Sequence, residues 1–499
     1  MTRRDLPMGR LLCTAVLLVL SGTPADAYAQ STSVTPSGLN TATPALNATT
    51  TAITGGTRSG TNLFHSFGEF SVGTNHTALF QNSDGGATSN IFGRVTGGNE
   101  SRIFGTIDSA MNFPSANLWL LNPAGFFFGP TAVLNVGGSV NISTADYLKM
   151  TDGTRFNALP GPADAVLSMA PVEAFGFLER QTLDPTFGRI VINGSKFGKT
   201  EFTGTDTDLL PPVRGLSMAG RDIVMTGANL RLLVTEGTPN TLLISSVASG
   251  GEVRSTPLEG ATGISSQISS GTKLGSITLD NTTISASGSF DLSNATSRMR
   301  FFADTLTMKD SSIRSDSSLG EGIFPGSIEL NLSDRLLVGE KSEVSAHSLG
   351  RFEDTDAAID IFVRAPVMEV TGGGSIKSSS TGEVPEPRAG NIHISGDRLT
   401  ISNGEILAES ATFPQFGGAG DIVIDLRQSL FLGPDGHLRN SGFNEGGAGA
   451  ISIRVPVVDM KGGSIRILSL DRSGKVTLFS DTVRIEQGEI STALEENQL

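Results

Sequence analysis

The chain has 499 residues, 61 of them glycine, with a formal net charge of -14 and only 17% charged residues. So acidic a balance argues against a nucleic-acid partner, because phosphate recognition needs clustered Lys and Arg. Few charges without low hydrophobicity also argue against disorder, and leave a chain rich in turns with a well-filled interior.

At the N-terminus, Arg3, Arg4 and Arg10 precede an apolar run over residues 11–20, and the small-residue triplets Ala25-Asp26-Ala27 and Ala27-Tyr28-Ala29 come next. A basic segment, about ten apolar residues and an A-x-A site make a secretory signal peptide of residues 1–29. A membrane-spanning helix needs about 20 apolar residues, which no stretch supplies, so stable membrane insertion is not expected. The single cysteine, Cys13, falls inside the segment to be removed. The exported chain is then thiol-free and is not a disulfide scaffold.

Residues 30–150 differ in texture from the rest of the chain. Phe64, Phe67, Phe70, Phe80, Phe92, Phe104, Phe113, Phe126, Phe127 and Phe128 concentrate the aromatics here. The end coil of a stacked fold exposes strand edges and an open core, and bulky rings are suited to capping it. Within this region residues 116–148 combine the turn Asn122-Pro123-Ala124-Gly125, the run Phe126-Phe127-Phe128 and alternating apolar strand residues. A proline-fixed turn with glycine at its end needs no catalytic explanation. No titratable group stands between Asn117 and Ala145, so the segment reads as the start of a β-coil rather than as a catalytic site.

Behind it, residues 151–270 read as a continuation with insertions, and residues 271–499 repeat one phrase. A glycine or alanine leads into an Ile-x-Ile alternation, a second apolar pair and a glycine turn, as in GNIHISGDRLTISNGEILAES from Gly390. From Gly390 to Gly420 to Gly449 the period is about 30 residues, in the range of solenoids. Ile392 and Ile394 alternate with His393, Ile422, Ile424 and Leu426 with Val423 and Asp425, and Ile451 and Ile453 with Ser452. That period of two puts one set inward on a pleated strand. Glycine and asparagine between strands would supply positive φ at the corners. The fold expected is all-β, a single elongated parallel β-helix with an aromatic-rich N-terminal cap. Coils of ~25–30 residues stacked at ~4.8 Å would make a rod of roughly 70–90 Å. A β-sandwich or propeller, built on hairpins, is the rival.

The order NLFHSFGEFSV from Asn62, NIFGRVTGGNESRIFGTI from Asn90, ANLWLLNPAGFFFG from Ala116 and GGSVNISTADYL from Gly137 resembles the haemagglutination-activity domain of the filamentous haemagglutinin family. That is the secretion domain of two-partner secretion passengers, and the resemblance covers roughly residues 31–150. It implies a right-handed β-helix, passage through a dedicated outer-membrane β-barrel transporter, and a surface or released adhesin of a Gram-negative-type bacterium that reaches the outside via the periplasm. A surface receptor or glycan would be its second partner. The family's Asn-Pro-x-Gly-Ile element maps onto Asn122, Pro123, Gly125 and Phe126, with Phe replacing Ile, and Asn117 and Leu118 just before it join the candidate secretion motif. The family's Asn-Pro-Asn-Leu element has no clean match. The nearest stretch is Gln81-Asn82-Ser83-Asp84.

Other patterns look chemical. Gly194-Ser195-Lys196-Phe197-Gly198-Lys199-Thr200 has its first glycine one residue too close for a phosphate loop. Gly417-Gly418-Ala419-Gly420-Asp421 places its Asp a position early for a calcium nonapeptide and does not repeat. The histidines His65, His76, His347, His393 and His437 are dispersed, without HExxH. No cofactor or metal is expected, and no enzyme. The alternative is a carbohydrate-active β-helix enzyme of polysaccharide lyase or glycosidase type, for which Glu353, Asp354, Asp356, Asp360, Glu405 and Glu409 are the grouped acids.

Overall fold

The computed structural model of the chain describes residues 31–161, 166–180, 186–197, 215–234, 240–256, 263–288, 297–316, 326–350, 358–382, 389–410, 418–442, 447–469 and 474–494. The signal-peptide segment lies outside them. Among the described residues, regular structure is β throughout apart from one 3-10 turn at Ile264–Ser266.

The alternation acts as expected. Ile392, Ile394, Ile422, Ile424, Ile451 and Ile453 are buried, while His393, Val423 and Ser452 between them are partly exposed. Burying each such aliphatic side chain stabilises by roughly 1.5–3 kcal/mol. Consecutive coils pair in parallel and in register, Ile392 opposite Ile422, Ile422 opposite Ile451 and Ile451 opposite Val476. The result is a parallel β-helix, and its inward residues form one continuous core from Val34 to Ile467.

The glycines that open each phrase do a different job from the one their spacing suggests. Gly390, Gly420, Gly449 and Gly474 are absent from the positive-φ positions. Instead the backbone of one coil passes directly over the next. A Cβ at Gly420 would stand 2.1 Å from the Gly390 oxygen, one at Gly449 2.3 Å from Gly420 O, and one at Gly474 1.9 Å from Gly449 O. Close stacking, not left-handed conformation, requires them. The left-handed corners form a separate column in which Asn281, Asp310, Asn403 and Asp435 have φ of 47°, 44°, 47° and 51° and Gly462 has 88°. Asn and Asp tolerate that region better than other side-chain-bearing residues. The Asn403-Gly404 and Asp435-Gly436 pairs therefore turn corners between parallel strands rather than making hairpins.

The N-terminal end is closed by antiparallel pairing. Ser33–Pro36 crosses Asn62–Ser71, Thr57–Ser59 folds back on that same strand, and Thr41–Ala42 and Ala45–Asn47 lie against Thr50–Gly55. The first coil thus offers no long open edge for other chains to join.

The phenylalanines divide between two cores. Phe67, Phe70, Phe80, Phe113, Phe126 and Phe128 point inward. Phe64 and Phe92, one position out of phase, point outward into a second core with Trp119, Phe156, Phe175, Phe177 and Phe302. A four-stranded antiparallel sheet outside the solenoid, made of Tyr147–Met150, Arg155–Asn157, Val172–Phe177 and Gly251–Arg254, accompanies this outer core. Phe104 and Phe127 stack at 5.6 Å, with the Arg102 guanidinium 4.6 Å from the Phe127 ring centre.

Candidate secretion-recognition site

Asn117 and Leu118 open the strand Asn117–Leu121, which pairs in parallel with Asn90–Val95 and Val140–Ser143. Leu118 is buried in the inner core. The Asn117 amide donates to Asn90 Oδ1 at 3.0 Å, and Asn117 Oδ1 accepts from the Ser139 N–H at 2.9 Å. Asn90 donates to Asn62 Oδ1 at 2.9 Å, and Asn62 donates to the carbonyls of Ser168 and Ala170, each at 3.1 Å. An amide is donor and acceptor at once, so identical residues in register can chain along stacked coils. Sequence reasoning misses Asn62 and Asn90, although the repeated triplets Asn-Leu-Phe, Asn-Ile-Phe and Asn-Leu-Trp at 62, 90 and 117 carry the signal.

The turn after this strand is closed by its own side chain. Asn122 Oδ1 accepts from the Ala124 N–H at 3.0 Å, and the Gly125 N–H donates to Asn122 O at 3.0 Å. Asn122 Nδ2 reaches back a coil to Asn99 O and Ser101 Oγ, both at 2.9 Å. Gly125 adopts φ 123°, and a Cβ there would meet Arg189 O at 2.9 Å, so only glycine fits. The Phe126 N–H donates to that same oxygen at 2.9 Å, and its ring lies in the inner core. Asn122, Pro123, Gly125 and Phe126 are all buried, and of this turn only Ala124 is partly exposed. The structure thus brings the candidate motif residues onto neighbouring turns of one coil and gives both asparagines internal partners.

Gln81-Asn82-Ser83-Asp84 forms a strap around Arg58. The guanidinium donates to Asp84 at 2.5 and 2.8 Å, to Asn82 Oδ1 at 3.0 Å, to Thr88 Oγ1 at 2.8 Å, and to the Ala87 and Gly86 carbonyls at 3.1 and 3.2 Å. The bond from Arg58, followed by that from the Gly86 N–H, holds the Asp84 carboxyl at about 2.

On the outer sheet, Glu252 gathers Lys149 Nζ at 2.9 Å and Tyr147 OH at 3.0 Å. Burial acts to raise its carboxyl, but these two hydrogen bonds outweigh that and keep it below the ordinary glutamate value. His65 faces the interior between Phe67 and Phe80, with Thr41 Oγ1 3.4 Å from Nδ1. Burial, with a smaller contribution from the Arg58 charge, pushes the imidazole down to about 4, so it is neutral at physiological pH.

The described residues of the other patterns serve the scaffold. Gly194 turns a corner at φ 70°, and Ser195 Oγ donates to Gly129 O at 2.7 Å. Gly198, Lys199 and Thr200 lie outside the described residues, as do Gly417, Glu353, Asp354 and Asp356. Asp360 accepts from the Asn391 N–H at 2.7 Å, Asn391 from Asp421 at 2.9 Å, and Asp421 from Ala450 at 2.7 Å, so side chains staple successive coils. Glu405 faces Arg439 at 3.8 Å, and Glu409 pairs with Lys377. Among the described residues no group of three His, Cys, Asp or Glu could hold a metal.

The candidate motif thus lies in a stacked parallel β-coil with a capped N-terminus, and its Asn-Pro-x-Gly turn is buried. The model of the TPS secretion domain family matches residues 25–297, more than half of the chain. The chain belongs to the TPS secretion domain family, and is a secreted exoprotein of a two-partner system with a transporter as partner. The matched span runs past residue 150 and closes just short of Phe302, the last residue of the outer core. Among solved structures the chain is similar to the HMW1 secretion domain from Haemophilus influenzae, with 14% identity over 93% of this chain and 100% of that one and a TM-score of 0.43. It is also similar to a filamentous hemagglutinin secretion domain, with 14% identity over 70% of this chain and 99% of that one and a TM-score of 0.31. No curated protein matches.

Proposed function

We propose that this exoprotein enters the periplasm by its signal peptide, residues 1–29, and leaves through an outer-membrane β-barrel that reads residues 117–126 before they fold. It then acts as an adhesin, at the cell surface or released, toward a receptor or glycan. The observation that carries the recognition step is burial. Asn122, Pro123, Gly125 and Phe126 are sealed in the finished coil, so a partner that reads their side chains must meet them while the chain is extended. The absence of cysteine after residue 13 suits such transit, since no cross-link can close a loop too wide for a barrel. The acids considered for a carbohydrate-active enzyme support that alternative less well, because Asp360, Glu405 and Glu409 each engage a neighbouring coil.

The test is export with the transporter present. Deletion of residues 62–145, and separately Asn122→Ala with Pro123→Ala, should leave the protein in the cell. Release to the medium at the normal level would sink the recognition reading. Attachment of purified passenger to host cells tests the adhesive half by itself.

A further inference from the structure

A polar cleft of about 280 Å³ lies on the outward face of the coils built from Ser312–Asp316, Glu343–Gly350, Ile359–Gly382 and Ile392–Ser410. Register brings its side chains together. Arg314, Ser345 and Lys377 stand opposite one another on successive coils, and beside them run Asp316, His347, Ser379 and Glu409. These residues are far apart in sequence, and only the parallel stacking aligns them.

Three features of the cleft concern hydrogen-bonding capacity. First, His347 holds two hydroxyls, Ser379 Oγ 2.8 Å from Nδ1 and Thr381 Oγ1 3.0 Å from Nε2. Burial lowers the basicity of this imidazole and favours its neutral form. A neutral ring gives one hydrogen bond and takes one. One hydroxyl therefore keeps its own O–H to donate outward, and the other keeps free lone pairs to accept. Second, Ser345 is only 6% exposed, and its Oγ has no hydrogen-bond partner among the described residues. A buried hydroxyl without a partner is unfavourable and is relieved by a ligand that supplies one. Third, the cations are already matched. Arg314 Nε lies 2.7 and 2.8 Å from the Asp316 carboxylate oxygens, and Lys377 pairs with Glu409. These two pairs cancel and Glu343 adds one carboxylate to the lining, so the cleft has donors and acceptors in quantity and no surplus positive charge.

We propose that this cleft binds a neutral saccharide through Ser345, Ser379, Thr381 and the His347 they surround. Acidic ligands would have to break the ion pairs and face Glu343, and cationic ones find that single carboxylate rather than a cluster. Ser345 lies on one coil and Ser379 and Thr381 on the next, ~4.8 Å away, and the three are offset along the strands by two to four residues of ~3.3 Å each. The hydroxyls are therefore spread over about the length of one or two sugar rings laid along the strands. The inference deepens the adhesive reading and takes its biological meaning from it.

The test is affinity electrophoresis of the purified, secreted full chain in native gels containing dextran, mannan or galactomannan, with polygalacturonate as the acidic contrast. At least one neutral polymer should retard the native protein. Ser345→Ala, which removes only the hydroxyl, and Thr381→Val, which keeps the volume, should each weaken that retardation tenfold or more, while Arg454→Ser on another face leaves it unchanged. Melting curves establish that the two variants are folded; Thr381 is partly exposed, so its replacement stands even if the buried one destabilises the coil. Retardation by polygalacturonate alone, equal retardation of the variants and the native chain, or none by any neutral polymer would overturn the proposal. Cell attachment is scored separately. Sugar retardation without attachment removes the adhesive reading and leaves the cleft, whereas attachment without retardation removes the cleft alone.

Discussion

Asn90 and Asn117 are joined side chain to side chain by a hydrogen bond of 3.0 Å, and the same Asn90 oxygen accepts from Trp119 Nε1 at 3.2 Å. This one amide therefore ties the asparagine column to the outer aromatic core. Asn90→Ala should strip partners from Asn62, Asn117 and Trp119 together. At about 1 kcal/mol for each bond lost, with desolvated groups left behind, the expected cost is roughly 2–4 kcal/mol. Trp119 is the only tryptophan, so urea unfolding followed by its fluorescence reads the change directly. A midpoint within error of the native chain would show the column to be ornamental.

The outer core should respond as a true core. Phe92 stacks on Phe64 at 4.7 Å and lies 5.9 Å from Trp119. Phe92→Ala is expected to cost about 3–5 kcal/mol and to shift Trp119 emission to the red as water enters. Phe127→Ala, on the partly exposed side, should cost far less.

His65 gives the protein an acid-sensitive cap. Its folded value is about 4 against 6.5 when free, so between these two pH values the unfolded chain takes up a proton that the folded one refuses. Stability is fully present above 6.5, falls as the pH drops toward 4, and has lost roughly 3 kcal/mol at the lower end. Asp84, held at about 2, adds its own loss only at more acidic pH. His65→Leu should flatten the first window in a plot of urea midpoint against pH. A native-like slope in that variant would assign the window to other groups.

The stacked glycines make a paired prediction. Gly420→Ala forces a Cβ against Gly390 O at 2.1 Å and should cost at least 1–3 kcal/mol, by parting two coils. Asn403→Gly, at φ 47°, exchanges one tolerant residue for another and should stay within about 1 kcal/mol. Thermal melting of the two variants side by side checks both. The reverse order would mean that the repeat glycines serve conformation after all.

Much of the fold is legible because inward residues of a β-coil must alternate, and Ile392, Ile422 and Ile451 do so with a near-constant period. The split of the phenylalanines is not legible. Phe64 and Phe67 differ only by phase, and sequence alone does not reveal that a sheet from residues 147–254 will cover the outward one. The role of the opening glycines is hidden for a similar reason: close contact between coils is a relation between residues about 30 apart, invisible in any local turn pattern. At the motif, the Asn122 turn can be anticipated from its residue types. Its burial cannot, because the oxygen that Gly125 and Phe126 meet belongs to Arg189, more than 60 residues on, just before the strand Ile190–Asn193.

The outer core also sets a schedule. Parallel pairing in the solenoid joins each coil to its neighbours, so folding can track the chain as it emerges, one turn upon the last. Phe64 and Phe302 belong to one cluster, and that cluster cannot close until the later residue has arrived. A passenger delivered N-terminus first would therefore spend the early part of its journey with one flank of its leading coils unfinished. Its completion marks, like a ratchet's last tooth, the moment when more than half of the molecule is already outside.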